Sequence, residues 1–308
     1  MERYQNLLVR RFRVGILGTG NSASYHFRTL TIYQKLFEIK LLKLTDFPLE
    51  IDDCSAVVIS ITDTKSKNLL LKKCSNYKGL IIIEKPIVTD YLQLEKLAKI
   101  INLNKPKIYG CFHPLFSPLL TKAKELAKTI NPEQVQLIRR QPNYINNVIS
   151  SFIKENSTGY DTWYNNMSEL ASFDGTIKIQ EVSTLDNRSR LSYPEANTLT
   201  KGKVGKLSFN LLIDWESPTN EKSTEIIGTE GKIRINYTKQ IITLTNLAGQ
   251  IQTYNFDSYG DRVLQEYIRM YQNIYDVLCN FSESNTKLIA VICKNVLLIQ
   301  KLSLKMSA

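Results

Sequence analysis

Residues Phe12–His26 read FRVGILGTGNSASYH, and this stretch decides the first half of the fold. Arg13–Leu17 is a short apolar run closed by glycine, the pattern of a buried strand. From Ser22 to about Leu36 the apolar spacing becomes helical. Between them lies Gly18-Thr19-Gly20-Asn21-Ser22-Ala23, a G-x-G-x-x-A turn with alanine as the third small residue. The first glycine permits the tight turn, and the second lets a pyrophosphate approach the backbone. The free amides at the helix start then face its charge. Gly18, Gly20, Asn21, Ser22 and Ala23 are therefore the expected contacts of a dinucleotide.

Working outward, strands are expected at Glu38–Leu44, Ala56–Ile61, Leu80–Ile83 and Ile108–Phe112, with helices at Lys65–Cys74 and Asp90–Asn102. This alternation predicts a parallel sheet flanked by helices, an α/β Rossmann domain over residues 1–118. Such a domain places an acid after its second strand to hold the adenosine ribose. Asp46 is the candidate; Lys40 and Lys43 suit a 2′-phosphate instead, and if Glu38–Leu44 is the third strand the acid is absent. After Pro118 a helix at Leu119–Thr129 precedes strands at Gln134–Arg140, Ile177–Leu185, Lys206–Trp215, Ser223–Ile235 and Gln240–Leu247. Helices at Asp261–Phe281 and Lys287–Leu304 close the chain. This predicts an α+β domain over residues 119–308 with an open, mostly antiparallel sheet. Its helices are too few to cover both sheet faces, so a homo-oligomer through that sheet is expected.

The 308 residues, 43% hydrophobic and 22% charged, suit a globular chain with a real core. No apolar run reaches the ~18–20 residues that cross a membrane, and MERYQNLLVRRFRV lacks the pattern of a secretory leader. The net charge of +11 is scattered in pairs such as Arg10–Arg11, Lys72–Lys73 and Arg139–Arg140. Pairs without tracts argue against a nucleic-acid surface and weakly favour an anionic small ligand. Five cysteines, with no C-x-x-C, point to a reducing compartment and hence the cytoplasm. Two histidines and no H-x-x-x-H give no expected metal site.

Ile82-Ile83-Glu84-Lys85-Pro86 ends the strand at Leu80–Ile83. It follows the glycine turn and His26, and precedes Gly110-Cys111-Phe112-His113-Pro114-Leu115-Phe116-Ser117-Pro118 and Ile226-Ile227-Gly228-Thr229-Glu230-Gly231. In these motifs and their order the chain resembles the glucose–fructose oxidoreductase and inositol dehydrogenase (Gfo/Idh/MocA) family across nearly its whole length. The resemblance implies a nicotinamide-binding Rossmann domain with NAD or NADP as cofactor, and a sheet domain carrying substrate and oligomer contacts. It extends the cofactor contacts to Asp46, Thr62, Glu84, Lys85 and Pro86, and gives Lys85 a place beside the substrate.

Where the family carries D-x-x-x-H-x-x-D, this chain has Asp161, Asn165 and Ser168. Asparagine cannot relay a proton near neutral pH. The family's proline and histidine after the Ala56–Ile61 strand fall on Asp63 and Lys67, and its asparagine before the linker falls on His113. Three possibilities follow. Proton transfer passes to Lys85, Tyr160, Asp161 or Tyr164; the substrate is an imine or a conjugated tetrapyrrole that needs no base; or catalysis is lost and a binding or interaction role remains. The expected catalytic set is Lys85, Tyr160, Asp161 and Asn165, acting on a small molecule.

Overall fold

The structure is a computed structural model and describes residues 10–45, 51–74, 76–102, 107–142, 159–174, 176–185 and 197–306. Its contacts divide the chain into two units, Met1–Cys111 with Tyr267–Ala290, and Phe112–Glu266 with Val291–Ala308.

In the first unit β1 (Phe12–Leu17), α1 (Asn21–Ile32), β2 (Phe37–Leu42), β3 (Ala56–Ile59), α2 (Thr64–Lys73), β4 (Leu80–Ile83), α3 (Tyr91–Asn102) and β5 (Lys107–Gly110) follow in order. The sheet order is β2-β1-β3-β4-β5, and every pairing is parallel. The central strands AVVI and LIII are buried at every position. Helices on both faces of a parallel sheet demand such unbroken apolar runs. Asp63, where the family resemblance has proline, caps α2 by accepting the amides of Lys65 and Ser66. The Ser66 side chain first, then the Ser66 and Lys65 amides, hold its carboxyl below the usual range.

Phe37–Leu42 pairs with β1 in register Phe12↔Phe37 through Leu17↔Leu42, so it is the second strand. Asp46 lies outside the described residues. Lys40 sits inside β2 and its ammonium meets Asp53 at 3.2 Å, which removes it as a 2′-phosphate contact. Lys43, directly after the strand, is exposed.

The second unit is built on an eight-stranded sheet ordered β13-β12-β11-β10-β6-β9-β8-β7. Its strands are β6 (Pro132–Pro142), β7 (Ile177–Thr184), β8 (Asn197–Val204), β9 (Leu207–Asp214), β10 (Glu216–Gly228), β11 (Gly231–Asn236), β12 (Ile241–Asn246) and β13 (Ile251–Asn255). Only the β6–β9 pair is parallel among these described strands. The helices α4 (Pro118–Ala127) and α5 (Gly159–Asp174) pack on one sheet face. Leu119, Leu120, Ala123 and Leu126 meet Ile226, Ile233, Ile235 and Ile242 there. Asn197–Val204 escapes sequence reading because its buried positions include Asn197, Thr198, Thr200 and Gly202. Ser223–Ile235, expected as one strand, is two strands of a hairpin, β10 and β11. The chain reverses at Thr229-Glu230-Gly231, a turn signal already present in the sequence. On the opposite sheet face Leu199, Leu212 and Ile138 are register neighbours, with Lys201, Asn210 and Gln136 beside them.

Two helices, α6 (Arg262–Leu278) and α7 (Thr286–Met306), complete the chain, and the unit division falls inside both. The expected cut at residue 118 misses this return. Its cause is an aromatic face on α6: Tyr267, Tyr271 and Tyr275 recur every four residues and pack against Tyr25, His26, Phe12 and Phe37. Among the described residues no helix is long and apolar enough to cross a membrane.

Ile233 is fully buried in the core under α4, whereas Leu247 is 73% exposed. Ile233→Ala is expected to lower unfolding free energy by ~2–5 kcal/mol, and Leu247→Ala by less than ~0.5 kcal/mol. Denaturant unfolding of both variants checks the packing direction of the sheet.

Candidate functional site

In the first unit the register aligns strand ends: Leu17 with Ile59, Ile59 with Ile83, and Ile83 with Gly110. Gly18, Ser60, Glu84 and Cys111 therefore leave the sheet side by side at its carboxyl edge, where open α/β sheets bind ligands. Thr62 lies two residues further along this edge and is exposed. The sequence-predicted cofactor contacts other than Asp46 thus converge on one edge.

The two glycines differ in what fixes them. Gly18 has φ +134°, and a Cβ there would stand 2.0 Å from the Ser60 carbonyl oxygen. The fold itself requires glycine at that position. A Cβ at Gly20 would meet nothing within 4 Å, so internal packing does not require glycine there. Gly20 is the N-cap of α1, with no side-chain cap and no acid in the first turn. The helix thus presents its partial positive charge and first amides uncapped, beside space that a side chain would fill. These features fit a dinucleotide pyrophosphate.

The step Glu84-Lys85-Pro86 follows β4, and the Lys85–Pro86 peptide is cis. Glu84 is 1% exposed. Its Oε1 accepts from Tyr267 Oη at 2.6 Å and lies 2.9 Å from His26 Nε2, while Oε2 accepts the Lys85 amide at 3.2 Å. His26 Nδ1 lies 2.8 Å from the Tyr271 hydroxyl, completing the cradle. Burial pushes the Glu84 carboxyl up, but His26, Lys85 and Tyr267 outweigh it and hold it at about 2. Glu84 is therefore an internal brace, which corrects its expected place among the cofactor contacts: both oxygens are taken up inside the unit. Cys111 Sγ stands 3.8 Å from His26 Nε2. His26, Glu84 and Cys111 have ligand-capable atoms within 4.8 Å of one another. The histidine and carboxylate atoms are already bonded within this cradle.

Lys67 was legible in sequence only as a departure from the family's histidine. It is wholly buried on the inner face of α2, beside Leu70 and Leu71. Its ammonium donates to the carbonyls of Glu84 at 2.7 Å and Pro86 at 2.6 Å, the two residues flanking Lys85. A lysine on an otherwise apolar helix face was the available signal. Lys85 itself is half-buried.

The other expected catalytic residues belong to the second unit. Helix α5 carries Tyr160 and Asp161 in its first turn and Asn165 one turn later. Tyr164 is fully buried and its hydroxyl donates to Cys293 Sγ at 3.4 Å, so burial withdraws it from the candidate proton donors. Asn165 and Glu169 are spaced by four, which places them on one side of the helix, while the side chains of Tyr160 and Asp161 lie outside the described ones. Glu169 is buried, accepts from Arg139 at 2.7 Å and Tyr237 at 2.6 Å, and also binds Thr224. A second buried carboxylate, Glu266, lies 2.6 Å from His113 Nδ1 and accepts from Arg262. His113 replaces the family asparagine here. Burial pushes Glu266 up, but His113, Arg262 and Lys222 leave it below its ordinary value.

No family model matches the sequence. No curated protein matches it either. The fold has many solved likenesses. A super-repressor mutant of Gal80p from Saccharomyces cerevisiae aligns at a TM-score of 0.80 and 14% identity, over 96% of this chain and 97% of that one. An oxidoreductase from Agrobacterium radiobacter, in complex with NAD+, L-tartaric acid and magnesium, aligns at 0.77 and 12%, over 95% and 96%. An inositol dehydrogenase homologue from Azotobacter vinelandii, with NADH and myo-inositol, aligns at 0.75 and 10%, over 97% and 96%. The chain thus has the fold of the oxidoreductases its motifs resemble.

Because Glu84 titrates from 4.5 down to about 2 on folding, its charge contributes stability that is full above pH ~4.5 and lost as pH falls toward ~2. The contribution is on the order of 3 kcal/mol. The unfolding temperature of wild type should therefore fall as pH drops from ~4.5 toward ~2. Glu84→Gln should be less stable at pH 7 by ~3 kcal/mol or more, with a flatter acid limb.

Proposed function

We propose that the protein is an NAD(P)-dependent oxidoreductase acting on a small polar substrate such as a sugar, nucleotide sugar or cyclitol. The observation that carries this is the uncapped start of α1 next to the open space at Gly20. The solved likenesses in complex with NAD+ or NADH support it. Gly18, Gly20, Asn21, Ser22 and Ala23 would hold the pyrophosphate, with Thr62, Lys85 and Pro86 further along the same edge. A bound nicotinamide supplies hydride donation or acceptance.

The chain's own part is positioning and proton handling. Lys85 hydrogen-bonds the reacting oxygen, gives it a proton when a carbonyl is reduced, and takes that proton back in the reverse direction. The clamp from Lys67 on the carbonyls either side holds the backbone that presents Lys85. Asp161 and Tyr160 contribute contacts to substrate hydroxyls from α5. Asn165 orients substrate through its amide and relays no proton. An imine or bilin substrate fits the same arrangement, since neither requires a histidine base. We place the activity in the cytoplasm, in a homo-oligomer joined through the open face that carries Ile138, Leu199 and Leu212.

A second possibility is a ligand-binding or interaction protein without turnover. Asn165 in the histidine position favours it, and a repressor is among the solved likenesses.

Gly20→Asp puts a side chain and a negative charge where pyrophosphate would lie. Nicotinamide fluorescence titration should show affinity reduced at least about tenfold, or ~1.4 kcal/mol; unchanged affinity in a folded variant removes the site. With a substrate panel, Lys85→Met should abolish most turnover without lowering thermal stability, Asn165→Ala should lose far less, and Asn165→His should raise alcohol oxidation. Turnover that survives Lys85→Met removes Lys85 from the mechanism, and cofactor binding with no turnover on any substrate favours the binding role. Sedimentation at micromolar concentration should give a species larger than the 35.4 kDa monomer.

A further inference from the structure

Among the described residues, Lys222 stands in the charged cluster of the second unit with no hydrogen bond or ion pair from its side chain. It is the register partner of Arg139 across β10 and β6, on the sheet face that α4 and α5 cover. Both carboxylates of the cluster are already engaged: Glu169 by Arg139, Thr224 and Tyr237, and Glu266 by Arg262 and His113. The guanidinium carbons of Arg139 and Arg262 each lie 5.4 Å from the centre of the Tyr237 ring. With two arginines and one lysine against two glutamates, the cluster keeps a net positive charge even with His113 neutral. Among the described residues Lys222 forms no side-chain hydrogen bond and no ion pair, so it is the cation left over.

We propose that the second unit binds a small oxyanion, a carboxylate or phosphate, at Lys222. The acceptable substrates of the proposed oxidoreductase are then acidic ones, sugar acids or phosphorylated sugars. The anion site rests on the cluster alone; its assignment to substrate rests on the oxidoreductase function proposed above. An unpaired ammonium in such surroundings is costly, and an incoming anion removes the cost. Lys222 keeps part of its surface in water, which leaves an approach to it. Loss of hydration at its ammonium, reinforced by Arg262 and Arg139 and opposed by Glu266 and Glu169, lowers its pKa to about 8. Helix α5 links the cluster to the proposed substrate contact, because Glu169 lies one turn from Asn165. One helical turn, about 5–6 Å of rise, separates Asn165 from Glu169. That is about the span of a monosaccharide.

The test is calorimetric titration of the full chain with inorganic phosphate and, separately, with gluconate, for wild type, Lys222→Met and Lys222→Arg. Wild type should bind at least one of the two, and which one distinguishes a phosphorylated from a carboxylate ligand. Lys222→Met should lose at least tenfold in affinity, and Lys222→Arg should stay within about threefold of wild type. Binding should weaken above pH ~8, where Lys222 loses its proton while Arg139 and Arg262 keep theirs. Lys222→Met should also unfold at the same or higher temperature as wild type without anion, which rules out misfolding, and should lose the anion-dependent rise in Tm. Absence of binding of both anions to wild type, or equal binding by Lys222→Met, overturns the proposal. No nicotinamide and no turnover enter these titrations, so their failure leaves the oxidoreductase function standing, and the loss of that function leaves them standing.

Discussion

The first unit depends on keeping one carboxylate charged inside the protein. Glu84 has almost no contact with water, and an isolated carboxylate in that position would take up a proton or disrupt its surroundings. It stays ionised because His26, Tyr267 and the Lys85 amide converge on it. Those groups come from α1, from α6 and from the turn after β4, far apart in sequence. Satisfying a single charge therefore ties the helix that follows the glycine turn, the returning helix and the Lys85 segment together. Lys67 completes the restraint from α2, donating to the carbonyls on either side of Lys85. Lys85 therefore sits between two residues whose carbonyls share one donor, Lys67.

The second unit handles buried charge differently. Its two buried glutamates are each matched by an arginine, and an additional lysine breaks the balance. A matched buried pair is weak evidence for a ligand, since desolvation cancels much of its attraction. A cation without a hydrogen bond or ion pair of its own is different, because Glu266 and Glu169 offset its lost hydration only in part. The Rossmann-like unit offers backbone amides at a helix start, suited to the phosphates of a dinucleotide. The sheet unit offers an ammonium beside Arg139 and Arg262, suited to a small anion.

Much of this architecture was legible from local chemistry. The strand, glycine turn and helix at Phe12–Ile32, and the buried runs AVVI and LIII, follow from apolar spacing and from where glycine interrupts it. Asn165 in place of histidine was equally plain, since its consequence depends only on what an amide cannot do. Less legible was β8, whose buried positions are mostly asparagine, threonine and glycine; Ser223–Ile235 reads as one segment although its Thr229-Glu230-Gly231 turn stands in the sequence. In β8 residue type conveys burial poorly, since threonine is at home on a covered sheet face.

The sequence by itself determined the parallel sheet, the glycine turn at the start of α1 and the place of Lys85 at a strand end, because each follows from neighbours in the chain and from the torsions glycine and proline permit. Only the tertiary structure decided which charges are partners. Glu84 looked like a cofactor contact until His26 and Tyr267 enclosed it, Lys40 looked available until Asp53 claimed it, and Lys67 looked like a substitution until its ammonium met two carbonyls. The reason is physical. A backbone turn is set by a few adjacent dihedral angles, whereas the state of a charged side chain depends on desolvation and on groups within a few ångströms. In this chain those groups lie as far as 183 residues away.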